Sequence, residues 1–61
     1  MTDDFRIRFL IVDDEQSIRK LCMTIGASLG FLCAEAENAE AALAYLENQV
    51  PDIVLTDLML P

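Results

Sequence analysis

Four acidic residues stand where their spacing could do chemistry. Asp13, Asp14 and Glu15 follow directly on the apolar run Phe9-Leu10-Ile11-Val12, and Asp57 follows directly on Ile53-Val54-Leu55-Thr56. If those two runs are neighbouring strands, Asp13, Asp14 and Asp57 share one small pocket. At about 5 Å and an effective dielectric of about 20, each like-charged pair costs on the order of 3 kcal/mol. A small domain with only a few kcal/mol of net stability does not keep such a cluster without a use for it. A hard divalent cation removes the conflict, because Mg²⁺ takes oxygen ligands and binds through one or two carboxylates plus a substrate phosphate. With that charge offset, Asp57 becomes a credible nucleophile toward a phosphoryl group, giving an aspartyl phosphate. Taken singly, Asp13 or Asp14 reads as a helix cap and Asp57 as a turn residue; taken together at two strand ends, they favour the shared site.

The elements that must position these acids are legible as changes of period. Ile7 to Val12 is a short, nearly continuous β-branched and aromatic run, the pattern of a strand buried on both faces. From Ser17 the apolar residues Ile18, Leu21, Cys22, Ile25 and Leu29 form one helical stripe with Arg19 and Lys20 outside it, and Gly30 stops the helix. Phe31 to Ala36 predicts a second strand, and Asn38 an N-cap opening a second helix with the stripe Ala39, Ala42, Leu43 and Leu46. Val50 precedes Pro51 and is pushed out of the α region, so that helix ends by Gln49. Asp52 to Thr56 then predicts a third buried strand. Alternation of this kind is the pattern of two βαβ units and so of a parallel α/β sheet, β1-α1-β2-α2-β3; in a doubly wound sheet of order 2-1-3 the first and third strands are neighbours. Right-handed crossovers put the strand C-termini on one edge, where ligands of such sheets bind. They also set the two helices on opposite faces.

Composition narrows the partners. Four Lys and Arg stand against eleven Asp and Glu, a net charge of −7, which repels phosphate backbones, so direct nucleic-acid binding is disfavoured. There is no histidine, which removes imidazole catalysis and most zinc sites. Cys22 and Cys33 have neither metal-ligand spacing nor disulfide-scaffold density and read as buried, reduced thiols. No run reaches the roughly 20 apolar residues of a membrane span and the N-terminus is not a leader, so a cytoplasmic location is expected. The apolar fraction of 54% is rich for 61 residues and leaves apolar area for a partner.

The segment Phe9-Leu10-Ile11-Val12-Asp13-Asp14-Glu15 resembles the acidic opening of bacterial response-regulator receiver domains. Asp57-Leu58-Met59-Leu60-Pro61 resembles their phosphoacceptor motif, with proline four residues after the aspartate and about forty residues between the two acidic motifs. Gly30-Phe31 and Ala36-Glu37-Asn38 sit where the family often has a similar second strand and loop. The resemblance implies a flavodoxin-like fold and a two-component signalling domain rather than an enzyme. It implies that Asp57 accepts a phosphoryl group from a sensor-kinase phosphohistidine, that Asp14 binds Mg²⁺ directly, that Asp13 helps through water, and that Asp57 and the Met59 backbone carbonyl complete the metal site. Glu15 reads as a first-turn helix charge favourable to the dipole. Ala39 and Ala41 depart from the family's common glycine and glutamate, far from the carboxylates. The family's domain is about twice this length, so residues 1–61 are expected to be its first half only. The hydroxyl residue and lysine that contact the phosphoryl group have no match here, and phosphorylation is expected to be impaired.

Two alternatives belong to other classes. Phosphotransferases of the haloacid-dehalogenase kind need an aspartate two residues after the nucleophile, whereas Asp13 is followed two later by Glu15. A self-assembling half-domain with only a structural role is the stronger competitor. In the order 2-1-3 the third strand is an edge, and Ile53, Val54 and Leu55 form an apolar edge with no gatekeeping lysine, which predicts a homo-oligomer built around it.

Overall fold

The computed structural model describes residues 5–56. Five elements follow in order: β1 (Arg8–Val12), α1 (Gln16–Ser28), β2 (Leu32–Ala36), α2 (Ala39–Leu46) and β3 (Ile53–Thr56). The three strands form one sheet, parallel as the alternation of periods predicts and in the order β2-β1-β3 expected of a doubly wound sheet, so β1 is paired along both edges. This is the arrangement of the opening half of a flavodoxin-like receiver fold. The most apolar strand takes the centre: Leu10, Ile11 and Val12 are 0%, 1% and 4% exposed.

Strand register sorts the residues by face. Phe9 pairs with Cys33 and Ile11 with Glu35, while Leu10 pairs with Ala34 and Val12 with Ala36. Successive side chains of a strand point to opposite faces, so Phe9, Ile11, Cys33 and Glu35 share one face and Leu10, Val12, Ala34 and Ala36 the other. α1 lies on the first face, where Phe9 and Cys33 meet Gly26. α2 lies on the second, where Ala41, Ala42 and Tyr45 pack with Leu10, Val12, Ala34 and Ala36. The two helices therefore do cover opposite faces.

Gly26 decides how α1 sits. A Cβ there would lie 2.5 Å from Cys33 Sγ and 3.0 Å from Phe9 Cδ2, so only glycine permits this approach of helix to sheet. The helix consequently seats Cys22, Met23 and Gly26, and of the stripe that periodicity predicts only Cys22 is turned inward: Ile18, Leu21, Ile25 and Leu29 are exposed. The α2 stripe is corrected likewise, because Ala39, Leu43 and Leu46 are exposed and only Ala42 of that set is buried. A small-residue face brings α2 close to Ala34 and Ala36, and larger residues are left pointing outward. The two cysteines are free, as expected, but half-buried rather than buried.

Helix ends follow the local chemistry. Gly30 has φ of +84°, and Phe31 N donates to Gly26 O at 2.9 Å while Gly30 N donates to Ala27 O at 3.0 Å, the paired bonds of a Schellman stop. Phe31 then returns to the sheet and packs edge-on against Phe9, with ring centroids 5.7 Å apart. At the start of β3, Asp52 N donates to Arg8 O and Arg8 N donates to Asp52 Oδ2, both at 2.8 Å, while Arg8 Nη1 donates to Gln49 Oε1 at 2.7 Å. These bonds fix the β3 register against β1.

β3 is not the buried strand that its apolar run predicts. Ile53, Val54 and Leu55 are 41%, 48% and 47% exposed. Both helices pack over β1 and β2, and among the described residues neither face of β3 carries a helix.

Candidate functional site

The acids after β1 sit in a loop held by its own backbone. Asp13 N donates to Ala36 O of β2 at 3.1 Å, extending the sheet by one bond. Asp13 Oδ1 accepts from Glu15 N at 2.8 Å, closing an Asx-type turn. Arg19, one turn into α1, donates from Nη1 to Asp13 O at 2.8 Å and from Nε to Glu35 Oε1 at 2.7 Å.

These contacts separate the bland role of each acid from the chemical one. Glu15 is the N-cap of α1 and not a first-turn residue, a correction to its expected place, and its side chain makes no capping bond. Asp13 spends one carboxylate oxygen on the turn and is half-buried. Asp14 is exposed and, among the described residues, its carboxylate has neither a hydrogen bond nor an ion pair. Capping therefore does not account for Asp14.

Hard-cation chemistry fits the oxygens present. Asp13 keeps Oδ2, Asp14 keeps both carboxylate oxygens, and Mg²⁺ sites in proteins use one or two carboxylates. Among the described residues no group of three or more His, Cys, Asp or Glu side chains could hold a metal ion. The predicted phosphoacceptor and third carboxylate, Asp57, and the predicted carbonyl donor, Met59, lie outside the described residues. What the described residues do supply is the parallel register: Val12 pairs with Thr56, and each immediately precedes an acid in the chain, Asp13 and Asp57.

Sequence reasoning missed Arg19, which it set outside the packed stripe. Its side chain is only 12% exposed and pairs with Glu35. Strand parity carried the signal, because it puts Glu35 on the Cys33 face that α1 covers, within reach of a cation on the helix.

A family profile described as "Response regulator receiver domain" matches residues 9–61. A probable transcriptional regulator ycf27 of Guillardia theta is 41% identical over 54 residues, covering 88% of this chain and 21% of the relative. The phosphate regulon transcriptional regulatory protein PhoB of Pseudomonas aeruginosa is 44% identical over 52 residues, covering 85% of this chain and 23% of that protein. PhoB of Escherichia coli is 39% identical over 54 residues, covering 88% of this chain and 24% of its own length. The chain thus spans about a fifth to a quarter of these relatives. No solved structure matches it.

Proposed function

The chain belongs to the response-regulator receiver family, and from that premise we propose that residues 1–61 are the first half of a receiver domain whose phosphoacceptor is Asp57. Asp14 and Asp57 would hold Mg²⁺ directly, with Asp13 through water and Met59 through its backbone carbonyl. Bound there, the ion would offset the carboxylate charge and supply Lewis-acid polarisation of a phosphoryl oxygen. An Asp57 carboxylate oxygen attacks phosphorus in line, the N–P bond of a sensor-kinase phosphohistidine breaks, and the departing imidazole takes up a proton, leaving an acyl phosphate. The observation that carries this is the Val12–Thr56 register beside an Asp14 carboxylate that has no hydrogen bond or ion pair among the described residues.

Transfer on these 61 residues alone is weak, because no hydroxyl or lysine here matches the family's phosphoryl contacts. The domain is a phosphoacceptor for signalling and needs no catalytic residue beyond Asp57. Its expected setting is cytoplasmic, without direct contact to nucleic acid through this segment; no helix among the described residues is long and apolar enough to cross a membrane. Incubation with a small phosphodonor and millimolar Mg²⁺, followed by borohydride trapping and mass spectrometry, should locate the modification at Asp57. Modification at Asp13 or Asp14 instead would overturn the assignment of roles. Mg²⁺ should also raise the melting temperature, and Asp14→Asn should abolish that rise.

The exposed β3 edge favours a second property of the 61-residue chain, association through Ile53, Val54 and Leu55. Sedimentation at micromolar concentration should give a homodimer or larger species that Val54→Lys dissociates. A compact, cooperatively folded monomer would sink this part and leave the phosphoacceptor assignment standing.

A further inference from the structure

We propose that Arg19 is a positioning residue for the acidic loop, acting on the Asp13–Asp14 peptide; this rests on reading Asp13 and Asp14 as cation ligands. The peptide bond is planar, so the Asp13 carbonyl and the Asp14 N and Cα move as one rigid unit. Arg19 Nη1 holds the oxygen of that unit at 2.8 Å. Asp14 has no side-chain hydrogen bond or ion pair of its own among the described residues, so this plane, which places its N and Cα, is what fixes the point from which its carboxylate leaves the loop. The clamp is anchored in turn: Nε of the same guanidinium donates to Glu35 Oε1 at 2.7 Å, and Arg19 N donates to Glu15 O at 3.1 Å. One side chain thereby ties the loop, α1 and β2 together.

A plain surface ion pair would do less. Glu35 is 42% exposed, and exposed pairs of that kind contribute little to stability. What the planar guanidinium adds is direction, since two N–H groups in a fixed fork meet the carbonyl and the carboxylate at once, whereas an ammonium is a point charge without that fork. Groups that orient metal ligands typically change metal affinity by tenfold or more when removed. Arg19 also brings positive charge to a loop of three successive acids, which lowers their mutual repulsion before a cation arrives.

The test uses the full chain with Mn²⁺ as probe, its free concentration read by electron paramagnetic resonance, and backbone amide exchange without metal. Arg19→Lys should weaken Mn²⁺ binding about tenfold and speed exchange of the Glu15 amide, which reports the loop turn, while the Ile11 and Val12 amides keep their protection. Glu35→Gln retains an oxygen acceptor for Nε and should stay near wild type. Unchanged Mn²⁺ affinity in Arg19→Lys overturns the proposal, as does loss of protection throughout β1, which marks a purely structural role. If the wild-type chain binds no Mn²⁺, the ligand assignment itself fails. Glu15 exchange, which involves no metal, then decides the clamp alone: faster exchange in Arg19→Lys supports it and unchanged exchange overturns it.

Discussion

The loops after β1 and β2 leave the same edge of the same sheet, and each leads into a helix, yet they are built differently. After β2, Asn38 is a full N-cap: its side chain accepts from Ala41 N at 2.7 Å, and Glu40 in the first turn of α2 complements the helix dipole. After β1, the N-cap position is held by Glu15 in suitable extended geometry, φ −94° and ψ 116°, but with no side-chain cap bond, and the first turn of α1 carries no acid. Three acids in succession occupy the loop instead, stabilised by a turn and an arginine. One loop is optimised to start a helix. The other gives up that optimisation and, among the described residues, keeps carboxylate oxygens free, the feature on which the proposed cation site rests.

Breaking the optimised loop should have the larger effect. Asn38→Ala removes the acceptor for Ala41 N and should destabilise the chain by about 1 kcal/mol, visible as a lower urea midpoint at unchanged slope. Repairing the other loop should have a smaller effect of opposite sign. Glu15→Ser places a capping hydroxyl at a residue already in cap geometry and removes one of three adjacent acids, so stability should rise by roughly 0.5 kcal/mol. A loss of stability in Glu15→Ser would mean that the Glu15 side chain has a structural role and that the two loops are less different than their hydrogen bonds indicate.

How much of this was legible in the sequence differs between backbone and side chains. Element order, the Asn38 cap and the Gly30 stop are local signals, carried by changes of period and by residues whose chemistry fits one backbone state, whereas sheet order is long-range and came with the expected doubly wound fold. Helix facing was not legible. In α1 the large residues Leu21, Ile25 and Leu29 suggest the packed face, but Gly26 allows a closer approach and turns the helix onto Cys22 and Met23. β3 shows the same limit: Ile-Val-Leu specifies a strand as well as Leu-Ile-Val does in β1, and burial depends on which elements lie over it. Arg19 was hidden because its function lies in two partners from other elements, Glu35 and the Asp13 carbonyl. The acidic motif was plain from its residue types, while the freedom of Asp14 needed the hydrogen bonds to be known.

The smallest effect sharpens the comparison most, because it separates a functional acid from a structural one. Asp14 has no partner among the described residues, so a neutral isostere removes no stabilising contact; it removes repulsion from Asp13 on one side and Glu15 on the other. In exposed surroundings such repulsion amounts to a few tenths of a kcal/mol at low salt and is largely screened at high salt. Without metal, Asp14→Asn should therefore stabilise slightly, with the gain shrinking as NaCl is raised. Asp13→Asn keeps an oxygen that can accept from Glu15 N, so it should be close to neutral, and Asp13→Ala should destabilise by losing the turn bond. Denaturant titrations of the three variants in chelator, at two salt concentrations, measure the ordering. Should Asp14→Asn prove destabilising in the absence of metal, its carboxylate has a structural partner after all, and the loop after β1 is a second kind of helix start instead of a site held open.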